Sequence, residues 1–95
     1  MNLRFYVDPI TEDLHIHSHG VHEEEVDEVL SNAGEDRAGR DGSRSAIGQT
    51  SSGRFLRVIY VPDSPPESAL VLTAYELRGK PLLAYRRRLR RRSKR

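Results

Sequence analysis

The last sixteen residues, KPLLAYRRRLRRRSKR, hold nine Lys or Arg and no acid, and that composition limits how the C-terminus of this chain can join a fold. Guanidinium and ammonium groups stay in water unless each is paired, so such a segment packs only through its few apolar side chains. Those are Leu82, Leu83, Tyr85 and Leu89. With Pro81 suited to a first helical position after Gly79, they predict a basic C-terminal helix or tail at about residues 80–95, its charged majority in solvent and Ser93 to Arg95 frayed. Arginines at this density repel one another unless phosphates, carboxylates or counterions lie among them. RNA, DNA or an acidic protein surface are the partners that this chemistry selects.

The chain as a whole is nearly balanced, with 16 Lys or Arg against 14 Asp or Glu and a formal net charge of +2. That balance hides an asymmetry. Residues 1–36 hold Arg4 as their single base against ten acids, whereas residues 37–95 hold fifteen bases against Asp41, Asp63, Glu67 and Glu76. Acidic and basic segments on separate outer faces would let one side bind an anion while the molecule avoids self-association. Ninety-five residues at 36% hydrophobic content fit one small domain, residues 1–95, with a thin core. No Cys is present, which excludes disulfides and thiolate metal sites and makes a reducing cytoplasm the default location. No apolar run reaches membrane-spanning length and MNLRFYVDPI lacks a signal-peptide pattern, so a soluble cytoplasmic protein without membrane contact is expected.

Hydrophobic spacing divides the chain. Leu3, Phe5 and Val7 alternate as a strand stopped at Asp8-Pro9, and Leu14 and Ile16 continue the alternation, which predicts a second strand hairpinned to the first through Asp8 to Asp13. From His22 the period changes to helical, with Val26, Val29, Leu30 and Ala33 on one side and Glu23, Glu24 and Glu25 in the first turn. That predicts a helix over about residues 22–33, ended by Asn32 to Gly34. GEDRAGRDGSRS, residues 34–45, has no large apolar side chain and reads as an exposed loop. Ala46 to Thr50 and Arg54 to Pro62 flank Ser51-Ser52-Gly53 as a hairpin, residues 62–66 form a loop, and Ala69 to Leu77 is the best central strand. The resulting order is ββαβββα, an α+β domain with a mostly antiparallel sheet.

Several residue groups carry chemistry. His15, His17, His19 and His22 suggest a metal site, but the HxHxH run lacks the second half of a zinc motif and His22 stands at a helix N-cap. A solvated strand edge plus a cap accounts for them, and no metal or other cofactor is assigned. Arg54, Arg57, Tyr75 and the arginine helix can instead converge on one sheet face, clamping phosphates and stacking a base on the phenol. Cleavage of RNA without a metal needs a base for the 2′-hydroxyl proton, cations for the phosphorane charge and an acid for the leaving oxygen. His19, Glu76, Tyr75 and Tyr85 are the candidates for proton transfer, and Tyr60 reads as core. Phosphate binding without cleavage would use the same arginines, so charge alone does not separate enzyme from binder. Docking of the arginine helix onto an acidic protein is a third reading.

The order of short motifs carries a family resemblance. An aromatic strand ending Val7-Asp8-Pro9 is followed by His19-Gly20-Val21 and by an acidic helix with Glu25-Val26 and Glu28-Val29-Leu30. This resembles the BrnT-type toxins of bacterial toxin–antitoxin pairs, within the RelE/ParE-like group, which show a W-D-P-like strand end, an H-G-V step and an E-[AV]-x-E-V-[FL] helix. Ile47-Gly48-Gln49-Thr50, Gly53-Arg54, Leu56 and Val58-Ile59-Tyr60 look like the family's I-G-x-T, G-R-x-L-x-V-V-Y hairpin, and Thr73-Ala74 extends the match into the last strand. Tyr75 and Glu76 stand where the family carries Arg and a second base, and the next cations are Arg78 and Lys80. The resemblance implies a small RelE-like domain acting as a metal-independent endoribonuclease, neutralised by a cognate antitoxin that also binds operator DNA. By that analogy Arg54 lies on the catalytic sheet face and His19 near its edge. Joined to the reading of the residues themselves, the expected catalytic set is Arg54, Tyr75, Arg78, Lys80 and His19, with Arg57, Tyr85, Arg86, Arg87, Arg88, Arg90 and Arg91 binding RNA. The alternative is a non-catalytic nucleic-acid- or antitoxin-binding module on the same fold.

Overall fold

Strands β1 (Asn2–Phe5), β2 (Glu35–Ala38), β3 (Arg44–Gln49), β4 (Phe55–Asp63) and β5 (Ser68–Glu76) form one sheet in the order β1-β5-β4-β3-β2 in a computed structural model of the chain. The structure describes residues 2–63 and 67–93. β1 runs parallel to β5, and the other pairings are antiparallel. Helix α1 (Glu23–Ser31) covers one face of the sheet and α2 (Gly79–Ser93) packs on the other. The domain is α+β with a mostly antiparallel sheet, as expected, but the element order is βαββββα rather than ββαβββα.

Two local readings change. Residues 15–19 form a single 3-10 turn instead of a second strand, and only the bridge between Val7 and Leu14 survives of the expected hairpin. The cause is local hydrogen bonding. The Asp8 carboxylate accepts from Ile10 N at 2.8 Å, Thr11 Oγ accepts from Asp13 N at 3.3 Å, and Gly20 at φ 70° closes the turn on the His17 carbonyl. Ile16 points into the core from this turn while its histidine neighbours stay outside it. Residues 34–45 are the second change, because β2 lies inside the expected loop. Asp41 at φ 53° and Gly42 at φ 79° turn the chain, Gly39 N donates to the Ser43 carbonyl at 2.8 Å, and β2 then pairs with β3 as a charged edge strand. Of the loop expected at 62–66, residues 62 and 63 finish β4 and 64–66 lie outside the described residues, as do 94 and 95 of the frayed tail.

Alternation on β4 sorts its side chains onto two cores. Leu56, Val58 and Tyr60 face α1 and join Ile16, Val21, Val26, Val29 and Val71 in the larger core. A Cβ on Gly48 would come within 3.3 Å of Val29 Cγ1, so glycine at that position sets how closely α1 approaches β3. On the opposite face Ile47 and Leu77 surround Tyr85 of α2, with Phe55, Leu82 and Leu89 packed around them. Leu82, Tyr85 and Leu89 fall on one helical stripe, whereas Leu83 faces away and is 54% exposed. Tyr85 was expected on the RNA-binding surface, and the structure corrects that: at 2% exposure it is the anchor of α2.

These positions predict opposite outcomes for two similar truncations. Tyr85→Ala removes the centre of the smaller core and should cost about 3–5 kcal/mol in chemical denaturation, a large part of a small domain's stability. Leu83→Ala should stay within about 0.5 kcal/mol of the parent protein.

Candidate nucleic-acid interface

The sheet register aligns Glu35, Ile47, Arg57 and Tyr75 in one row across β2, β3, β4 and β5. The row lies on the α2 face, and Arg57 stands at the junction of two open clefts of about 390 Å³ each. One is bounded by Tyr75, Glu76, Arg78 and Pro81, the other by Glu35, Arg37, Ser45 and Arg88. Arg57 Nε is buried without a hydrogen-bond partner among the described residues, and so is Thr73 Oγ, two residues before Tyr75 on the same face. Unpaired buried donors of this kind cost about 1–3 kcal/mol each.

The cations around the row differ in what already holds them. Arg88 makes two parallel bonds of 2.7 Å to the Glu35 carboxylate, which is also 3.1 Å from Arg37. The Arg88 hydrogen bond, with the charges of Arg88, Arg37 and Arg57 behind it, holds Glu35 below the usual carboxylate range despite its burial. Arg78 reaches Glu76 at 3.2 Å, and that bond, helped by Arg54, lowers the Glu76 pKa. Arg86 lies 5.0 Å above the Phe55 ring, and Arg92 donates to the Gly34 carbonyl. A Cβ on Gly34 would collide with the Tyr85 hydroxyl, so the β2 end of this seat needs glycine. Lys80, Arg87, Arg90 and Arg91 are exposed along α2.

Arg54, first in the expected catalytic set, extends from the α1 side of the sheet and meets the cleft at Glu76. Its Nη1 donates to both Glu25 oxygens at 2.9 and 2.8 Å and to the Gly20 carbonyl at 3.2 Å, and its Nη2 reaches Glu76 at 3.4 Å. Glu25 also accepts from His22 N at 3.0 Å, so Arg54 ties the N-terminus of α1 to the ends of β4 and β5. This is a structural clamp. The odd spacing between Arg54 and Arg57 was the available signal, since a regular strand sends such positions to opposite faces. His19 lies beside Tyr75, with ring centroids 6.2 Å apart in an edge-on contact. Glu35 and Thr73 were missed, Glu35 because its strand was read as loop.

The histidines fall into two ring contacts, His15 with His19 and His17 with His22 at 6.3 Å. His17 bridges Asp13 and Glu23 at 2.9 Å each, fastening the turn before the 3-10 segment to the first residue of α1. His22 serves as the N-cap residue of α1, the role expected for it. Among the described residues no cluster of His, Asp and Glu has the arrangement of a metal site. Tyr60 is core, as expected, and burial followed by its bond to Asp36 pushes its hydroxyl pKa up to about 12.

The His17 bridge predicts a specific pH dependence. The Glu23 and then the Asp13 bond raise the His17 pKa above 6.5, so its stabilisation is complete below 6.5 and is lost as pH rises through the folded value. Asp13 and Glu23 are lowered from 3.8 and 4.5, so their share is present above those values and is lost as pH falls through the folded ones. In an NMR titration the His17 imidazole should titrate above 6.5 and return towards it in Glu23→Gln, with the unfolding midpoint falling as the imidazole deprotonates.

Comparison with protein-family models, with curated proteins and with solved structures returns no match to this chain.

Proposed function

We propose that the chain is a toxin-like endoribonuclease whose phosphate site is the Arg57–Tyr75 cleft. The observation that carries this reading is the Arg57 guanidinium, shared by both clefts, set beside a 36% exposed tyrosine and beneath a helix with an arginine-rich outer side. Arg57 and Arg78 would neutralise the non-bridging oxygens, with Lys80 at the mouth of the cleft. In the cleavage step the 2′-oxygen bonds to phosphorus and the P–O5′ bond breaks. The 2′-hydroxyl proton leaves and the 5′-oxygen gains one, with Tyr75 and His19 as the groups that exchange protons. Arg86, Arg87, Arg90 and Arg91 would track the flanking backbone, and a cognate antitoxin, itself able to bind operator DNA, would cover this cationic side.

A non-catalytic RNA-binding module is the second reading, and one observation favours it. Glu76, the carboxylate lining the cleft, is held ionised by Arg78 and Arg54, which weakens it as a proton acceptor. The same arginines would then bind phosphates and leave the chain intact.

Incubating RNA with the pure protein in EDTA separates the two. The enzyme reading expects cleavage, lowered at least about 100-fold in Arg57→Ala, whereas Arg54→Ala should act mainly through stability. Binding without product selects the second reading. Under either one, Arg87→Glu with Arg91→Glu should weaken RNA binding most at low salt and flatten its salt dependence. Cleavage retained in full by Arg57→Ala would remove the cleft from the mechanism.

A further inference from the structure

β1 pairs with β5 only from Asn2 opposite Ser68 to Phe5 opposite Val71, which leaves the second half of β5 without a strand on that side. The 3-10 turn lies beside it, and there Tyr6, His15, His19 and Tyr75 make a continuous strip of rings. Centroids are 6.2 Å apart from Tyr6 to His15, 5.1 Å from His15 to His19 and 6.2 Å from His19 to Tyr75, all edge-on. Both ends are open to solvent, Tyr6 at 44% and Tyr75 at 36%. Tyr75 also forms one wall of the Arg57 cleft, so the strip begins where the cationic site ends.

The strip differs from the cleft in charge. Asp8 lies 3.6 Å from His15 Nδ1, an ion-pair distance beyond hydrogen-bond length, and that nitrogen is buried without a hydrogen-bond partner among the described residues. A phosphate on the strip would meet the Asp8 carboxylate. An uncharged nucleobase would meet ring faces and edges, the surfaces on which unpaired bases stack.

We propose that the strip from Tyr6 to Tyr75 is a base-stacking subsite that takes single-stranded RNA, receiving the unpaired bases of a strand whose phosphates lie in the Arg57 cleft. This rests on the reading of that cleft as a phosphate site. The rings are spaced at 5.1 to 6.2 Å, wider than the rise of about 3.4 Å per nucleotide in a stacked strand, so a base reaching each ring must leave its neighbour. A duplex holds its bases in the stack and is excluded. Stacking accepts any base, so the subsite selects strandedness rather than sequence.

Fluorescence anisotropy with a short single-stranded RNA, an abasic strand of equal charge and a duplex tests this. Tyr6→Ala should weaken the single strand about 5- to 100-fold and leave the abasic strand and the duplex at wild-type affinity, while Tyr6→Phe keeps all three. The proposal is overturned if Tyr6→Ala binds the single strand like wild type, or weakens all three probes equally. If Arg57→Ala still weakens every probe in the first of those outcomes, the phosphate site stands and only the stacking strip is lost. Failure of the wild-type protein to bind any probe would remove both.

Discussion

Tyr85 in its seat is the contact on which the geometry of the cationic face depends. α2 carries six arginines among its 15 residues, and its hold on the sheet is the stripe of Leu82, Tyr85 and Leu89 against Ile47, Phe55 and Leu77. Gly34 leaves room for the phenol, and the Arg88–Glu35 pair fixes the rotation of the helix about that contact. A bidentate guanidinium–carboxylate pair is directional, so it orients the helix even where its net stabilisation is small. Both clefts around Arg57 are defined by this seating, since residues at the start of α2 close one and Arg88 closes the other.

Part of the charge asymmetry along the sequence is paired across the fold. Glu25 holds Arg54, Glu35 holds Arg88 and Arg37, Asp36 holds Arg44, and Asp13 with Glu23 holds His17. The acids of α1, with Glu23, Glu24 and Asp27 exposed, lie on the sheet face opposite the arginines of α2. Cations concentrate on the Arg57 row and the outer side of α2. Under the proposed function, long-range attraction and local recognition then fall to different residues: exposed arginines would draw a polyanion in, and Arg57 with Tyr75 would meet it.

Elements with an apolar period were legible in the sequence. α1 followed from Val26 and Val29 behind three acids, and β4 followed from Leu56, Val58 and Tyr60 after Gly53. β2 carries no such signal, because its pairing rests on backbone hydrogen bonds and the Asp36–Arg44 contact rather than on buried side chains. The Leu14–Ile16 alternation fits a strand equally well as text, and only the Asp8 and Thr11 turn bonds divert it into a 3-10 segment. At the candidate site the residue types were legible but their faces were not. Arg54 and Arg57 are near neighbours in sequence and start from opposite sides of the sheet, one clamping α1 and reaching the cleft only at Glu76, the other at the centre of the clefts.

The most direct test of this division is a nitrogen-15 NMR titration of the intact chain with a short single-stranded RNA, following the arginine Nε–H signals and the backbone amides. The Arg57 Nε–H and the amides of Thr73 and Tyr75 should shift together and saturably, with Arg54 and the first turn of α1 unmoved. Shifts centred on Arg54 and Glu25, with Arg57 unchanged, would contradict the assignment of the α2 face as the phosphate-binding side.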